Sequence, residues 1–315
     1  MEIRSRVRPI LFWLLLGNVS LSVSQEFSLE RPDASTLNYY LFQQQVPLSE
    51  KVLLLILQGS DCNSVFNNDA IKRDYSKVWP QADLLFIEKY GIDRELSYRS
   101  DSERNDCPKE YIQKDSPHQR VVDIKNVLKV VREQHDYTKL IVLGGSEGAV
   151  IANLLAAESE YIDATISFNG GGRWFIDDVI HNILSTQKTP ELASADIEGF
   201  KGFANHILSS QPFELEVSGH GFDWWQQMLS VDQLGTLQKV KSPVLILQGG
   251  SDVSVSTNKV NDMMSVLAKS GKHNIEYKFY DGLNHQLKNS AGQSEIKAVT
   301  ADIHLWLESV LNRSN

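Results

Sequence analysis

Cysteine is scarce in this chain, with two residues, Cys62 and Cys107, among 315. Two isolated cysteines supply neither zinc-ligand spacing nor a Cys-x-x-Cys redox motif. Proline is thin as well, nine residues beside 19 glycines, and with 42% hydrophobic and 23% charged residues the composition excludes collagen, coiled coil and intrinsic disorder. Basic residues are outnumbered 31 to 40, which leaves a net charge of -9. No long Lys/Arg run follows the first few residues, so nucleic acid is excluded as a partner, because phosphate binding needs a cationic face. A small molecule or a protein remains. No apolar stretch reaches the roughly 20 residues that a bilayer requires. There is no His-Glu-x-x-His, no Gly-x-Gly-x-x-Gly and no ligand cluster, so neither a metal nor a nucleotide cofactor is expected. Internal repeats and low-complexity tracts are absent, and the length suits one α/β unit as well as two smaller domains.

The first 24 residues look addressed to export. Arg4, Arg6 and Arg8 form a basic start, Ile10 to Leu16 a short apolar run, and Ser22-Val23-Ser24 a small-residue cleavage site. Cleavage after Ser24 is expected, leaving residues 25–315 as the mature domain, periplasmic or extracellular, with no stable membrane anchor. The alternative, an uncleaved anchor, has against it the shortness of the run and the polar Gly17-Asn18 that follows. In an oxidising compartment Cys62 and Cys107 are expected to form a disulfide rather than two buried thiols.

From Lys51 onward, short apolar runs alternate with amphipathic segments. Val52 to Leu57, Leu84 to Ile87, Leu140 to Leu143, Ala164 to Phe168 and Val244 to Leu247 are continuous apolar runs, the pattern of strands buried on both faces of a parallel sheet. Val121, Ile124, Val127, Leu128 and Val131 recur at helical spacing. So do Val260, Met263, Met264 and Leu267, and then Ile296, Val299, Ile303, Trp306 and Val310. The alternation predicts an α/β fold with a doubly wound, mostly parallel sheet. Two stretches interrupt it: a polar excursion from Gly91 to Pro117, and a helical, cap-like insertion at about 173–241.

The sequence Leu140-Ile-Val-Leu-Gly-Gly-Ser146-Glu-Gly-Ala149 places Gly144-x-Ser146-x-Gly148 between a strand and a helix. A turn that sharp crowds the backbone, so it needs small residues two before and two after the serine, and it lifts the hydroxyl to the edge of the sheet. An ordinary Gly-rich turn for phosphate is the competing explanation, and the missing Gly-Lys-Ser/Thr ending argues against a P-loop. A serine hydroxyl needs a base and an orienting acid to become nucleophilic. Asp252 follows the strand Val244 to Leu247, and His285 follows Ile275 to Tyr280, so all three fall at the same edge of a parallel sheet. Asp281 is the rival acid and His220 the rival base.

The motif Gly-x-Ser-x-Gly, then Gly249-x-x-Asp252, then His285, resembles the α/β-hydrolase superfamily from about Lys51 to Leu311. Dienelactone-hydrolase-like, prolyl-oligopeptidase-like and acyl-CoA thioesterase-like members are the nearest subgroups, though none matches over the insertion. The resemblance implies Ser146 as nucleophile, His285 as general base and acid, and Asp252 as the group that orients the imidazole. It implies an oxyanion hole from the backbone amides of Glu147 and of Ser60, with Asp61 as the next choice. Two departures stand out: Gln58-Gly59 where relatives often have His-Gly, and Glu88-Lys89-Tyr90-Gly91 where they often have Asp-x-x-Gly. Trp174, Trp224 and Trp225 could wall an acyl pocket or merely pack the insertion onto the sheet. The function so implied is a secreted, cofactor-free serine hydrolase that cleaves a small-molecule ester or thioester through an acyl-enzyme. A peptidase on short peptides and an inactive binding protein of the same fold are the alternatives; the intact Ser, Asp and His set disfavours the second.

Overall fold

The structure is a computed structural model that describes residues 25–44, 50–101 and 104–312. The expected export leader, residues 1–24, lies outside the described residues. Eight strands form one sheet: β1 (Gln25–Glu30), β2 (Thr36–Phe42), β3 (Val52–Leu57), β4 (Asp83–Ile87), β5 (Lys139–Gly145), β6 (Ala164–Phe168), β7 (Val244–Gly249) and β8 (Ile275–Tyr280). Their order is β1-β2-β4-β3-β5-β6-β7-β8. Strands β3 to β8 run parallel, while β1 and β2 form an antiparallel margin paired onto β4. Five of the six parallel strands fall on the apolar runs expected from the sequence, and β8 falls on the more polar segment Ile275 to Tyr280 expected ahead of His285. The margin was not among the expected strands: β1 is half polar and solvent-facing, so it lacks a continuous apolar run.

The described residues form nine α-helices: α1 (Lys109–Lys114), α2 (Pro117–Gln134), α3 (Glu147–Glu158), α4 (Phe175–Thr186), α5 (Pro190–Ser209), α6 (Phe222–Ser230), α7 (Gln233–Lys239), α8 (Thr257–Lys269) and α9 (Ile296–Leu311). The period of two along each strand divides the interior into two cores. Leu53, Leu55 and Leu57 of β3 pack with Ile124 of α2, Ile151 of α3 and Val260 of α8. Val52, Leu54 and Ile56 of the same strand pack on the opposite side, in the core that holds Val299, Ile303 and Leu307 of α9. A strand with apolar neighbours above and below has no polar face, which is why these runs are uninterrupted.

Helix starts follow local chemistry. The Ser116 and Thr189 hydroxyls accept from the amides of Gln119 and Leu192, with Pro117 and Pro190 next in sequence, where a missing N–H costs nothing. Between β6 and β7 run α4 to α7. Ala204 and Ile207 of α5 and Phe222, Trp225 and Met228 of α6 share one cluster, seated on Val150 of α3. Helix α7 instead sends Leu234 and Leu237 into the first sheet core. Among the described residues no helix is long and apolar enough to cross a membrane.

Candidate active site

Strand β5 ends at Gly145 and α3 begins at Glu147, so the chain reverses at Ser146 alone. Its backbone sits at φ 55° and ψ -126°, a conformation that costs a residue with a Cβ on the order of 1–3 kcal/mol. The Ser146 amide donates to the Phe168 carbonyl at 3.0 Å, and its own carbonyl accepts from Ala149 at 3.0 Å. A Cβ on Gly144 would lie 2.0 Å from the Gly148 carbonyl oxygen, and one on Gly148 would lie 2.4 Å from the Leu57 carbonyl oxygen. The glycines two before and two after the serine are therefore steric requirements of the turn.

Asp252 follows β7 and its side chain has no exposed surface. Oδ1 accepts from the amides of Ser254 at 2.8 Å and Val255 at 3.0 Å. Oδ2 accepts from Gln248 Nε2 at 3.2 Å and pairs with His285 Nδ1 at 2.8 Å. A carboxylate at Nδ1 sets the ring's tautomer and leaves Nε2 free to take a proton. Asp281 is exposed, and the imidazole turns to Asp252 instead. His220 lies elsewhere, stacked on Trp224 with ring centroids 3.7 Å apart; burial pushes its imidazole down to about 4.

Ser146 and His285 border one cavity of about 140 Å³, together with Ser60 and Asn169. Its apolar wall is Val150 of α3, Phe175 of α4, Trp224 and Met228 of α6, and Val255 ahead of α8. Of the three tryptophans singled out in the sequence, Trp224 borders this cavity. Trp225 is turned into the α5–α6 cluster, its indole donating to the Val217 carbonyl at 3.1 Å. Trp174 precedes α4 with the Arg173 guanidinium 4.9 Å from its ring, and it is not part of the cavity wall.

Sequence reasoning missed Asn169. This buried residue donates from Nδ2 to the His285 carbonyl at 2.8 Å and accepts at Oδ1 from the Gly249 amide at 2.9 Å, so it ties the loop carrying His285 to β7. Its φ of 49° is one that asparagine tolerates. The only hint is its place, at the head of Asn169-Gly-Gly-Gly172 where β6 ends. Asp178 also borders the cavity, and burial pushes its carboxyl up to about 7.

The loop after β3 reaches the cavity through Ser60, whose amide has no acceptor among the described residues. Glu147 opens α3, where first-turn amides lack an intrahelical acceptor. Its side chain is buried in an ion pair with Arg120, Oε1 to Nη1 at 2.6 Å, while Oε2 accepts from Trp224 Nε1 at 2.8 Å. Burial alone would raise the Glu147 carboxyl, but the Arg120 and Lys89 cations hold it well below the ordinary carboxylate range. Gln58, the departure from His-Gly, donates from Nε2 to the Asn63 carbonyl at 2.7 Å and closes the loop on itself. Cys62 and Cys107 form a disulfide with Cα atoms 5.8 Å apart, linking this loop to the polar excursion.

The fold and this arrangement define a class, the α/β-hydrolase serine hydrolases. The family model described as serine aminopeptidase, S33, matches residues 107–291, more than half of the chain, and the chain belongs to that family. Esterase EstD of Thermotoga maritima is 23% identical over 174 residues, which are 55% of this chain and 41% of that protein; the match thus spans less than half of the curated relative. The solved structure of Est1E from Butyrivibrio proteoclasticus is similar at a TM-score of 0.59 and 16% identity, covering 92% of this chain and 100% of that one. A carboxyl esterase from Bacillus coagulans, solved with glycerol, is similar at 0.62 and 14% identity over 92% and 99%. For the acylaminoacyl peptidase of Pyrococcus horikoshii the values are 0.61 and 14%, over 94% of this chain and 42% of that one.

Proposed function

We propose that this protein is an exported hydrolase that cleaves a carboxylic ester or thioester through an acyl-enzyme on Ser146. The observation that carries the reading is the strained Ser146 facing the same cavity as an imidazole whose Nδ1 is held by a buried carboxylate. In this reading His285 Nε2 takes the Ser146 proton as Oγ attacks the acyl carbon. Asp252 orients the imidazolium, and the amides of Ser60 and Glu147 receive the oxyanion. The proton then passes from Nε2 to the leaving oxygen or sulfur. Water repeats the cycle on the acyl-enzyme, which frees the acid and Ser146. A cavity of about 140 Å³ is small beside the roughly 300–1,000 Å³ of sites for drug-sized ligands, so the acyl group is compact. The names of EstD and of the Bacillus coagulans carboxyl esterase support ester substrates, and the disulfide supports export.

A second reading, cleavage of short peptides, is favoured by Asp178, because a carboxyl beside the cavity is a partner for a free α-ammonium group. A panel of nitrophenyl esters, thioesters and peptide amides, each with Ser146→Ala as control, separates the two. The ester reading expects turnover of short-chain acyl esters that vanishes in the variant. Faster turnover of amides bearing a free amino terminus would replace it with the peptidase reading, and equal turnover by both proteins would remove Ser146 from the chemistry.

A further inference from the structure

The loop after β3 is held by its carbonyls, four in succession, each taken by a buried side chain from another part of the fold. Arg120 Nη2 donates to the Gln58 carbonyl at 2.9 Å. Lys89 Nζ donates to the Gly59 carbonyl at 2.5 Å and also to that of Asp61. Tyr111 Oη donates to the Ser60 carbonyl at 2.7 Å. Lys89 stands just after β4, within the segment that departs from Asp-x-x-Gly, and Tyr111 stands on α1 inside the polar excursion. Both are buried, and the Lys89 ammonium lies 5.4 Å from the centre of the Tyr111 ring.

A trans peptide points its N–H opposite to its C=O, and the described chain has no cis bonds. The carbonyl of Gly59 and the amide of Ser60 belong to one peptide plane. Fixing the first at Lys89 therefore turns the second to the opposite side of the loop, and fixing the Ser60 carbonyl at Tyr111 does the same for the Asp61 amide. The loop also packs on the nucleophile: a Cβ on Gly59 would lie 3.4 Å from the Ser146 Cβ. Three observations converge: Ser60 borders the cavity, its amide has no acceptor among the described residues, and the plane that carries this amide is clamped from behind.

We infer that Lys89 and Tyr111 are positioning residues for the oxyanion hole, a buried clamp that aims the Ser60 amide at the oxygen of the tetrahedral intermediate, Lys89 through the peptide plane that carries this amide and Tyr111 through the plane that follows it. This rests on the serine-hydrolase reading of Ser146. The clamp touches neither substrate nor reacting atoms. A displaced amide weakens a contact that is strongest in the transition state, so the loss falls on kcat rather than on KM. Burial, and then the neighbouring Arg120 cation, push the Lys89 ammonium below its ordinary value, while the Glu147 and Asp61 carboxylates work the other way to keep the charge.

The test measures kcat and KM on the best nitrophenyl ester, and affinity for a trifluoromethyl ketone analogue of it, for wild type, Lys89→Met and Tyr111→Phe. Misplacement on the order of 1 Å costs about 100-fold, so the expected loss in kcat is about 10- to 100-fold for Lys89→Met and smaller for Tyr111→Phe. KM should stay within about threefold, and the ketone should weaken in step with kcat. Circular dichroism checks folding. Tyr111→Phe alters no charge, and its kinetics decide between clamp and no clamp if Lys89→Met does not fold. Wild-type kcat and ketone affinity in the folded variants overturn the clamp alone, as does a loss confined to KM. Failure of a fluorophosphonate to label wild-type Ser146 overturns the serine-hydrolase reading and the clamp together.

Discussion

Replacing Glu147 by Gln removes one buried charge while keeping the length of the side chain and an oxygen for the Trp224 indole. The carboxylate lost is 2% exposed, and its partner Arg120, 6% exposed, is left with the Gln58 carbonyl. Removing one member of a buried pair costs about 3–5 kcal/mol, because the other stays behind desolvated. At about 2–4 °C per kcal/mol for a domain of this size, the melting temperature falls by roughly 10 °C. The penalty also depends on pH. Burial, opposed by Lys89 and reinforced by the Glu147 charge, raises the Asp115 carboxyl from 3.8 to about 7. The folded chain therefore loses stability as pH climbs through that window. Without the Glu147 charge the anion that raises Asp115 is gone while Lys89 and Arg120 remain, so Asp115 titrates lower and loses less. Glu147, held well below its ordinary range, is ionised from pH 5 to 8 and adds no slope there. The gap between wild type and Glu147→Gln is thus largest near pH 5 and narrows toward pH 8. Guanidinium unfolding followed by tryptophan fluorescence at both pH values measures it. A penalty below about 1 kcal/mol would remove the Glu147–Arg120 pair from the stability of the fold, and one that grows toward pH 8 would remove its coupling to Asp115.

Three further outcomes are expected. Asp252→Asn should lower kcat about 10³- to 10⁴-fold through the wrong imidazole tautomer, while Asp281→Asn stays close to wild type in the same ester assay; the reverse ranking moves the acid to Asp281. Trp224→Ala should shift preference among acyl chain lengths in a graded way, about 1–3 kcal/mol per methylene. Trp225→Ala, which empties the α5–α6 cluster, should instead lower thermal stability by about 3–5 kcal/mol and leave the preference unchanged. Reduction of Cys62–Cys107, separated by 45 residues, should cost about 4 kcal/mol in the chain-entropy model and lower turnover as the Ser60 loop loosens; unchanged melting and turnover under reductant would remove that role.

What is legible in the sequence follows from which signals are local. The parallel strands are visible because burial on both faces leaves no polar residue in Val52–Leu57 or Val244–Leu247. The turn at Ser146 is visible because Gly144 and Gly148 have no steric substitute within five residues. The order of Ser146, Asp252 and His285 is visible because each follows a strand of one parallel sheet. Lys89, Tyr111, Arg120 and Asn169 are hidden because their partners are backbone atoms of distant segments: Arg120 lies 62 residues from the carbonyl it holds, and Asn169 lies 116 from His285. No spacing rule encodes such contacts. Trp174, Trp224 and Trp225 look alike as a composition signal, yet helix phase turns one toward the cavity and another into the α5–α6 cluster.

Whether Ser146 is the activated nucleophile is decided by adding a fluorophosphonate to the oxidised protein and mapping the adduct by peptide mass spectrometry. One stoichiometric adduct on Ser146 is expected, with His285→Ala slowing its formation by orders of magnitude. An unlabelled Ser146, an adduct on another residue, or equal labelling rates in wild type and His285→Ala would contradict it.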